Sequence, residues 1–299
     1  MVQKNFVHQL PLYLISLIIV TLLLACNFTT ATNPQLDSSE ANTDELPEDQ
    51  DQSQLEQDQD QIDQTQPQGQ DNQWVLINHG GVEFWYDPQV ILDIEASTIP
   101  ESEGGMYEEP HPAYVQYALS LDGGTVSVID IENYKNVSET ASNTFPDLQT
   151  LIGNQNAQSL DCIPELPLTA FFHECSHQQF NANVKFIEFK NGSGVRFVTV
   201  YGVQDAAPVS NENLVYTFQG ITDNQQCYVK FSFTLTHQEL EDSAEIPVEV
   251  NADSTGTALD TYFSDFEQLL NGAPDGFSPS LTRFDLIISS VEVSNCLGE

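Results

Sequence analysis

From Gln73 onward the chain is organised as short runs of apolar and aromatic residues, each closed by a turn. VEFWY, residues 82–86, is stopped by Asp87-Pro88. AYVQYALSL, then DGG, then TVSVIDI has the form of a hairpin whose turn uses Gly123 and Gly124 for backbone angles that other residues avoid. VKFIEFK, NGSG and VRFVTVYG repeat that form around Asn191 and Gly192, and LVYTFQGI with CYVKFSFTLT makes a third pair about Thr222 to Gln225. Adjacent hairpins predict an antiparallel sheet, because each tight turn returns the chain beside the strand it has just left.

The period changes from two to 3.6 in a few places. Thr144 has the chemistry of an N-cap, Pro146 fits a first turn, and Leu148, Leu151 and Ile152 share one face before Gly153. A longer helix is predicted over 258–270, where Leu259, Tyr262, Phe263, Phe266, Leu269 and Leu270 form one stripe and Gly272 follows as a terminator. Ser278-Pro279 opens a further helical segment carrying Leu281, Phe284 and Ile288, which gives way to a last strand at 290–293. The expected fold class is therefore α+β: one domain, residues 73–299, with a mainly antiparallel sheet packed by helices on one or both faces.

The residues before this domain follow other patterns. After Lys4 comes LPLYLISLIIVTLLLA, an apolar run closed by a cut signal, so residues 1–25 are expected to be a secretion signal. The run ends Leu23-Leu24-Ala25-Cys26, which resembles the bacterial lipobox, and that resemblance implies diacylglycerol on Cys26 as residue one of the mature chain. Two acyl chains exceed the marginal affinity of one, since each buried methylene adds about 0.8 kcal/mol. Residues 26–72 are dense in Gln and Asp, and from Thr29 to Asn72 they hold no Lys, Arg or aromatic residue. Such a segment buries too little apolar surface to offset its ordering entropy, so a disordered acidic tether spanning about 35–40 Å is expected.

Charge narrows the range of partners. The chain holds 45 acidic and 7 basic residues, a formal net charge of −38. Nucleic acid and anionic lipid headgroups need a positive footprint and are poor partners for it. Most of the domain's cations, Lys185, Lys190, Arg196 and Lys230, fall in one stretch, where pairing with carboxylates on neighbouring strands accounts for them. Apart from Cys26 there are four cysteines, Cys162, Cys175, Cys227 and Cys296, an even number in an exported chain. Of three connectivities the favoured one joins Cys162 to Cys175 and Cys227 to Cys296, a short local loop and a staple from the C-terminus to a central strand.

One stretch imitates a catalytic motif. HECSH, residues 173–177, has the spacing of zinc peptidases, in which two histidines one helical turn apart bind metal and the glutamate activates water. His173, Glu174 and His177 can take those roles, but the third ligand is lacking. Asn183 stands where the extended motif needs histidine, and the next acid, Glu188, falls in a predicted strand. On a helix, Leu168, Phe171, Phe172 and Cys175 would form the apolar stripe and turn both histidines away from it. NADSTGTALDTY, from Asn251, resembles a calcium loop until its twelfth position, where a bidentate Glu is replaced by Tyr262. Helix capping explains the stretch better, with Thr257 and Asp260 at capping-box spacing. There is no nucleophile elbow and no phosphate loop, so no catalytic residue and no cofactor is expected. Trp74 and Trp85 are read as packing residues.

GVEFWYDP, NGSGVRFVTVYG, LVYTFQGITDNQQCYVKF and the closing IISSVEV together resemble uncharacterised bacterial lipoprotein ectodomains, and the order of elements is distantly similar to the PsbP/Mog1-like sandwich. The resemblance implies a fold over roughly residues 80–299 and no chemistry. The sequence thus describes a lipid-anchored extracytoplasmic domain that binds or assembles with a protein or small-molecule partner. Its rivals are a zinc hydrolase on HECSH and a structural surface protein without a ligand.

Overall fold

The computed structural model describes residues 74–105, 109–120, 124–157, 162–166, 178–202 and 206–296. The expected signal, Cys26 and the tether lie outside them. The chain forms β1 (Val75–His79), β2 (Val82–Tyr86), β3 (Ile94–Ile99), β4 (Tyr114–Leu119), β5 (Thr125–Asp130), α1 (Ile131–Val137), α2 (Glu139–Asn154), β6 (Ala182–Phe189), β7 (Gly192–Thr199), β8 (Val215–Thr222) and β9 (Cys227–Thr234). There follow β10 (Thr236–His237), α3 (Val248–Asn251), α4 (Thr257–Gly272), β11 (Phe277–Ser278), α5 (Leu281–Ser289) and β12 (Glu292–Val293). The fold is α+β. Seven strands in the order β3-β4-β5-β9-β8-β7-β6 make an antiparallel sheet, and β1-β2-β12 make a small second one.

Both faces of the large sheet are covered, which is why β8 reads as a nearly continuous buried run. Alternate residues feed two cores. Tyr117, Val126, Val229, Phe231 and Phe233 meet β2, α4 and α5 on one face, with Phe84, Phe263, Phe284 and Ile288. Ile129, Val195, Phe197 and Tyr228 meet α1 and α2 on the other, with Tyr134, Phe145, Leu148 and Leu151. Trp74 is buried in the first core and Trp85 packs against it. Cys227 and Cys296 are bonded, Cα atoms 5.7 Å apart, and staple the chain after β12 to the start of β9. Cys162 is also disulfide-bonded; Cys175, its expected partner, lies outside the described residues.

The three hairpins form with the expected pairing, but local details differ for identifiable reasons. The turn between β6 and β7 is Lys190-Asn191, and Gly192-Ser193-Gly194 belongs to β7. A Cβ on Gly192 would lie 2.4 Å from the Ile221 carbonyl oxygen, and one on Gly194 2.2 Å from that of Gln219. Those glycines serve close packing in the strand instead of a turn. TVSVIDI does not stay extended to Ile131. Asp130 accepts a hydrogen bond from the Asn133 N–H at 2.8 Å and caps α1. α2 starts at Glu139, before the expected Thr144, because the Ser138 hydroxyl accepts from the Ala141 N–H at 3.0 Å; Pro146 then stands inside the helix. The Thr257–Asp260 capping box does not form. Gly256 is the cap residue, and the Asp253 carboxylate reaches forward to accept from the Ala258 N–H at 2.8 Å. That bond, with those from Thr255, holds the Asp253 carboxyl below the usual range.

Each cation does find a carboxylate, though the partners come mostly from covering elements and seldom from neighbouring strands. Lys185 and Arg196 meet Asp285 of α5, Lys190 meets Glu83 and Glu292, and Lys230 meets Glu165. Among the described residues no helix is long and apolar enough to cross a membrane.

Candidate functional site

A groove of about 980 Å³ opens where α4 passes the edge strand β6. From α4 it takes Asp260, Phe263, Ser264, Glu267 and Asn271, which share one face of the helix at spacings of three, four and seven. From β6 it takes Val184 and Phe186, alternate residues that face the same way. The end of α2 and two short segments, at Ile163 and at 179–181, close it. Its floor is apolar, with Ile163, Phe180 and Phe263 buried, and its rim carries amide, hydroxyl and carboxylate groups. The groove has the size of known ligand pockets, and its accessible lining is mainly polar over that buried apolar base.

The wall formed by the two short segments is fixed by a buried polar network. The Gln178 side chain pairs with the backbone of Ile163 in both directions, accepting from its N–H at 3.0 Å and donating to its carbonyl at 2.7 Å. Two residues on, the buried Glu165 carboxylate accepts from Lys230 Nζ at 2.5 Å, Tyr201 Oη at 2.7 Å and Gln178 Nε2 at 3.1 Å. Gln219 donates to the Pro164 carbonyl at 3.0 Å while accepting from Tyr228 Oη at 2.7 Å. Burial, and then the Glu165 charge, push the Tyr201 hydroxyl well above its ordinary pKa, so it stays a donor to that carboxylate. Full satisfaction of this kind rigidifies a buried cluster. The network therefore positions the groove's wall and is not itself open to a ligand.

The opposite wall is latched at one residue. Asn183 sits at φ +52 beside a register shift in β6. Its N–H donates to Asn271 Oδ1 at 2.6 Å and its amide donates to the Leu270 carbonyl at 2.9 Å, joining β6 to the last turn of α4. Arg196 supports the same point by donating to the Asn183 carbonyl at 2.6 Å. Asparagine is among the few residues that tolerate this backbone region, so the NANV sequence carried a signal for the kink.

Glu267 faces the groove half-buried. Burial raises its carboxyl above the ordinary pKa, partly countered by the hydrogen bond it accepts from the Asn181 N–H. With Asp260 it makes the groove acidic, and the described lining includes no Lys, Arg or His. In the sequence Asp260 reads only as a capping-box residue, and Glu267 carries no signal of its own beside the apolar stripe of α4. Trp74 and Trp85 are not among the groove's described lining.

His173, Glu174, His177 and Cys175 lie outside the described residues. Among the described residues no three His, Cys, Asp or Glu side chains are grouped to hold a metal ion. The Asn251–Tyr262 stretch spends its carboxylate at Asp253 on capping α4. No family model matches the chain. No curated protein matches it either.

Proposed function

We propose that this protein is a lipid-anchored extracytoplasmic binding protein whose ligand enters the groove between α4 and β6. The groove itself carries the reading: two carboxylates on the α4 wall face a wall of short segments that the Glu165 cluster holds rigid from behind, over an apolar base. The lipobox at Cys26 supports the anchor, and the Cys227–Cys296 bond supports an oxidising compartment, since such bonds persist outside the cytosol. The acidic segment 26–72 would serve as the leash, raising the domain's local concentration at the surface while it searches. Helices on both faces of an antiparallel sheet are compatible with a PsbP/Mog1-like sandwich, which remains part of this proposal.

Two measurements test it. Mass spectrometry of the protein extracted from membranes should find diacylglycerol on Cys26, and Cys26→Ser should abolish acylation and membrane retention. Amide exchange of the detergent-extracted chain against a panel of cationic, neutral and anionic ligands should protect residues 179–186 and 260–271 with a cationic or neutral class. Protection by the anionic class alone, or confined to another surface, sinks the groove.

A further inference from the structure

Resting on the groove as the binding site, we propose that its occupant is a basic peptide segment in extended conformation, added as a strand along the edge of β6 beyond Asn183.

Three observations converge on that chemistry. The first is position. β6 is an edge of the seven-stranded sheet among the described residues, and an edge strand presents backbone donors and acceptors to whatever lies beside it; those of Asn183 are taken by Asn271 and Arg196, which leaves the residues from Val184 onward. The second is shape. The α4 wall from Asp260 to Asn271 is about 17 Å long at the helical rise, which matches about five residues of extended chain at the strand rise. Main-chain hydrogen bonds to β6 would supply affinity, while the half-buried Val184 and Phe186 would take alternate side chains. The third is charge. Asp260 and Glu267 look into the groove from one wall and no cation answers them in the described lining, so a ligand's Lys or Arg side chains would complete the site.

Charge also decides between possible occupants. The chain's own segment 26–72 is rich in Asp and Glu without Lys or Arg, and would carry like charge into an acidic slot. A second copy of a chain with net charge −38 meets the same repulsion. A separate basic partner meets none.

The test uses the full detergent-extracted protein and a labelled hexapeptide alternating Lys with Val. Binding is read by fluorescence anisotropy, and backbone protection by amide hydrogen exchange. The expected result is saturable binding with slowed exchange at 184–186. A Glu-Val peptide should not bind. The double variant Asp260→Asn with Glu267→Gln should weaken binding at least about tenfold, as should 0.5 M salt. Melting curves establish that the variant is folded, and the exposed-site reversal Asp260→Lys provides a second, less intrusive reading of the same effect. The inference is overturned if the Lys-Val peptide does not bind, if it binds without slowing exchange at 184–186, or if spermine binds as tightly, since a polyamine has no backbone to pair. A neutral oligosaccharide that protects the groove when the peptide does not would overturn the peptide and leave the groove standing. Failure of every probe to perturb 179–186 and 260–271 overturns both.

Discussion

α4 and α5 carry the same kind of apolar stripe and end up differently used. α5 buries Leu281, Phe284, Ile287 and Ile288 together with the charged Asp285. α4, nearly twice as long, fully buries Phe263 and Leu270, while Leu259, Tyr262 and Phe266 are half-buried and Leu269 is exposed. The difference lies in what is underneath. α5 packs against both β6 and β2, so its stripe is enclosed between the two sheets. α4 packs against β6 at the sheet's edge, so part of its stripe extends past the last strand. A seated helix is enclosed along its stripe, whereas the overhanging one leaves Tyr262, Phe266 and Leu269 around a shallow depression apart from the groove's lining. Amphipathic periodicity reports a face without reporting whether anything covers it.

The largest test of this contrast is a pair of truncations. Phe284 stacks on Phe233 with ring centroids 4.4 Å apart and lies 4.9 Å from Tyr216, with no exposed surface. Phe284→Ala should cost about 3–5 kcal/mol, the range for a buried aromatic. Phe266→Ala on α4 should cost roughly 1 kcal/mol, because its ring is already half in water and its removal leaves no closed cavity. Urea unfolding of both variants decides it: equal costs would mean that α4 is as firmly seated as α5.

Asp285 sharpens the same contrast through charge. Its carboxylate accepts from Lys185 at 2.8 Å, Arg196 at 3.2 Å and Tyr216 at 3.1 Å, tying α5 to three strands. Replacing it by Asn leaves the buried Arg196 guanidinium without a counter-ion, and removal of one partner of a buried pair costs about 3 kcal/mol at the low end of the known range. The low end applies because the Asn oxygen still accepts one bond. Chemical denaturation at neutral pH measures the loss.

How much of this was legible in the chain follows from how far each interaction reaches. Hairpins β4-β5, β6-β7 and β8-β9 were readable because alternation and turn chemistry are local, and the α4 stripe was readable for the same reason. α1 was missed since TVSVIDI remains apolar across the point where Asp130 turns from strand to cap. Gly192 and Gly194 looked like turn residues because nothing nearby in sequence shows that Phe189 and the Gln219 carbonyl press on them. The groove was illegible for a deeper reason. It exists because β6 ends the sheet, and strand order is set by pairings between distant segments. Glu165 and Lys230, which hold its wall, are 65 residues apart. HECSH drew notice by spacing alone, and its residues lie outside those described.

Smaller effects are expected at the latch that joins α4 to β6. Asn183→Ala places a Cβ-bearing residue without a local polar partner at φ +52 and deletes the bond to the Leu270 carbonyl. About 1 kcal/mol for the backbone and about 1 kcal/mol for the hydrogen bond give a cost near 2 kcal/mol. Asn183→Gly should recover the first half. Amide exchange should show the final turn of α4 opening in both variants while α5 is unaffected; opening of α5 to the same extent would mean that the two helices move as one unit.

The smallest effect carries the opposite sign. Burial raises the Glu267 carboxyl above its ordinary value, more than the Asn181 N–H lowers it. A carboxyl whose folded pKa lies above its unfolded one is held more tightly protonated in the folded state. Its ionisation therefore costs stability as pH rises through the folded value, and that cost is absent below the unfolded value. Glu267→Gln removes the cost, so the variant should be slightly more stable than the parent at neutral pH and indistinguishable from it well below the ordinary Glu range. The gain should stay under about 1 kcal/mol, because solvent screens a carboxyl this open. Thermal melts at the two pH extremes read the sign directly. Destabilisation at neutral pH would show that the charged bond to Asn181 outweighs desolvation, making Glu267 a brace between α4 and the segment before β6. In that case the overhanging helix is held from the groove side, and a cation bound there would compete with the brace instead of relieving a strained carboxylate.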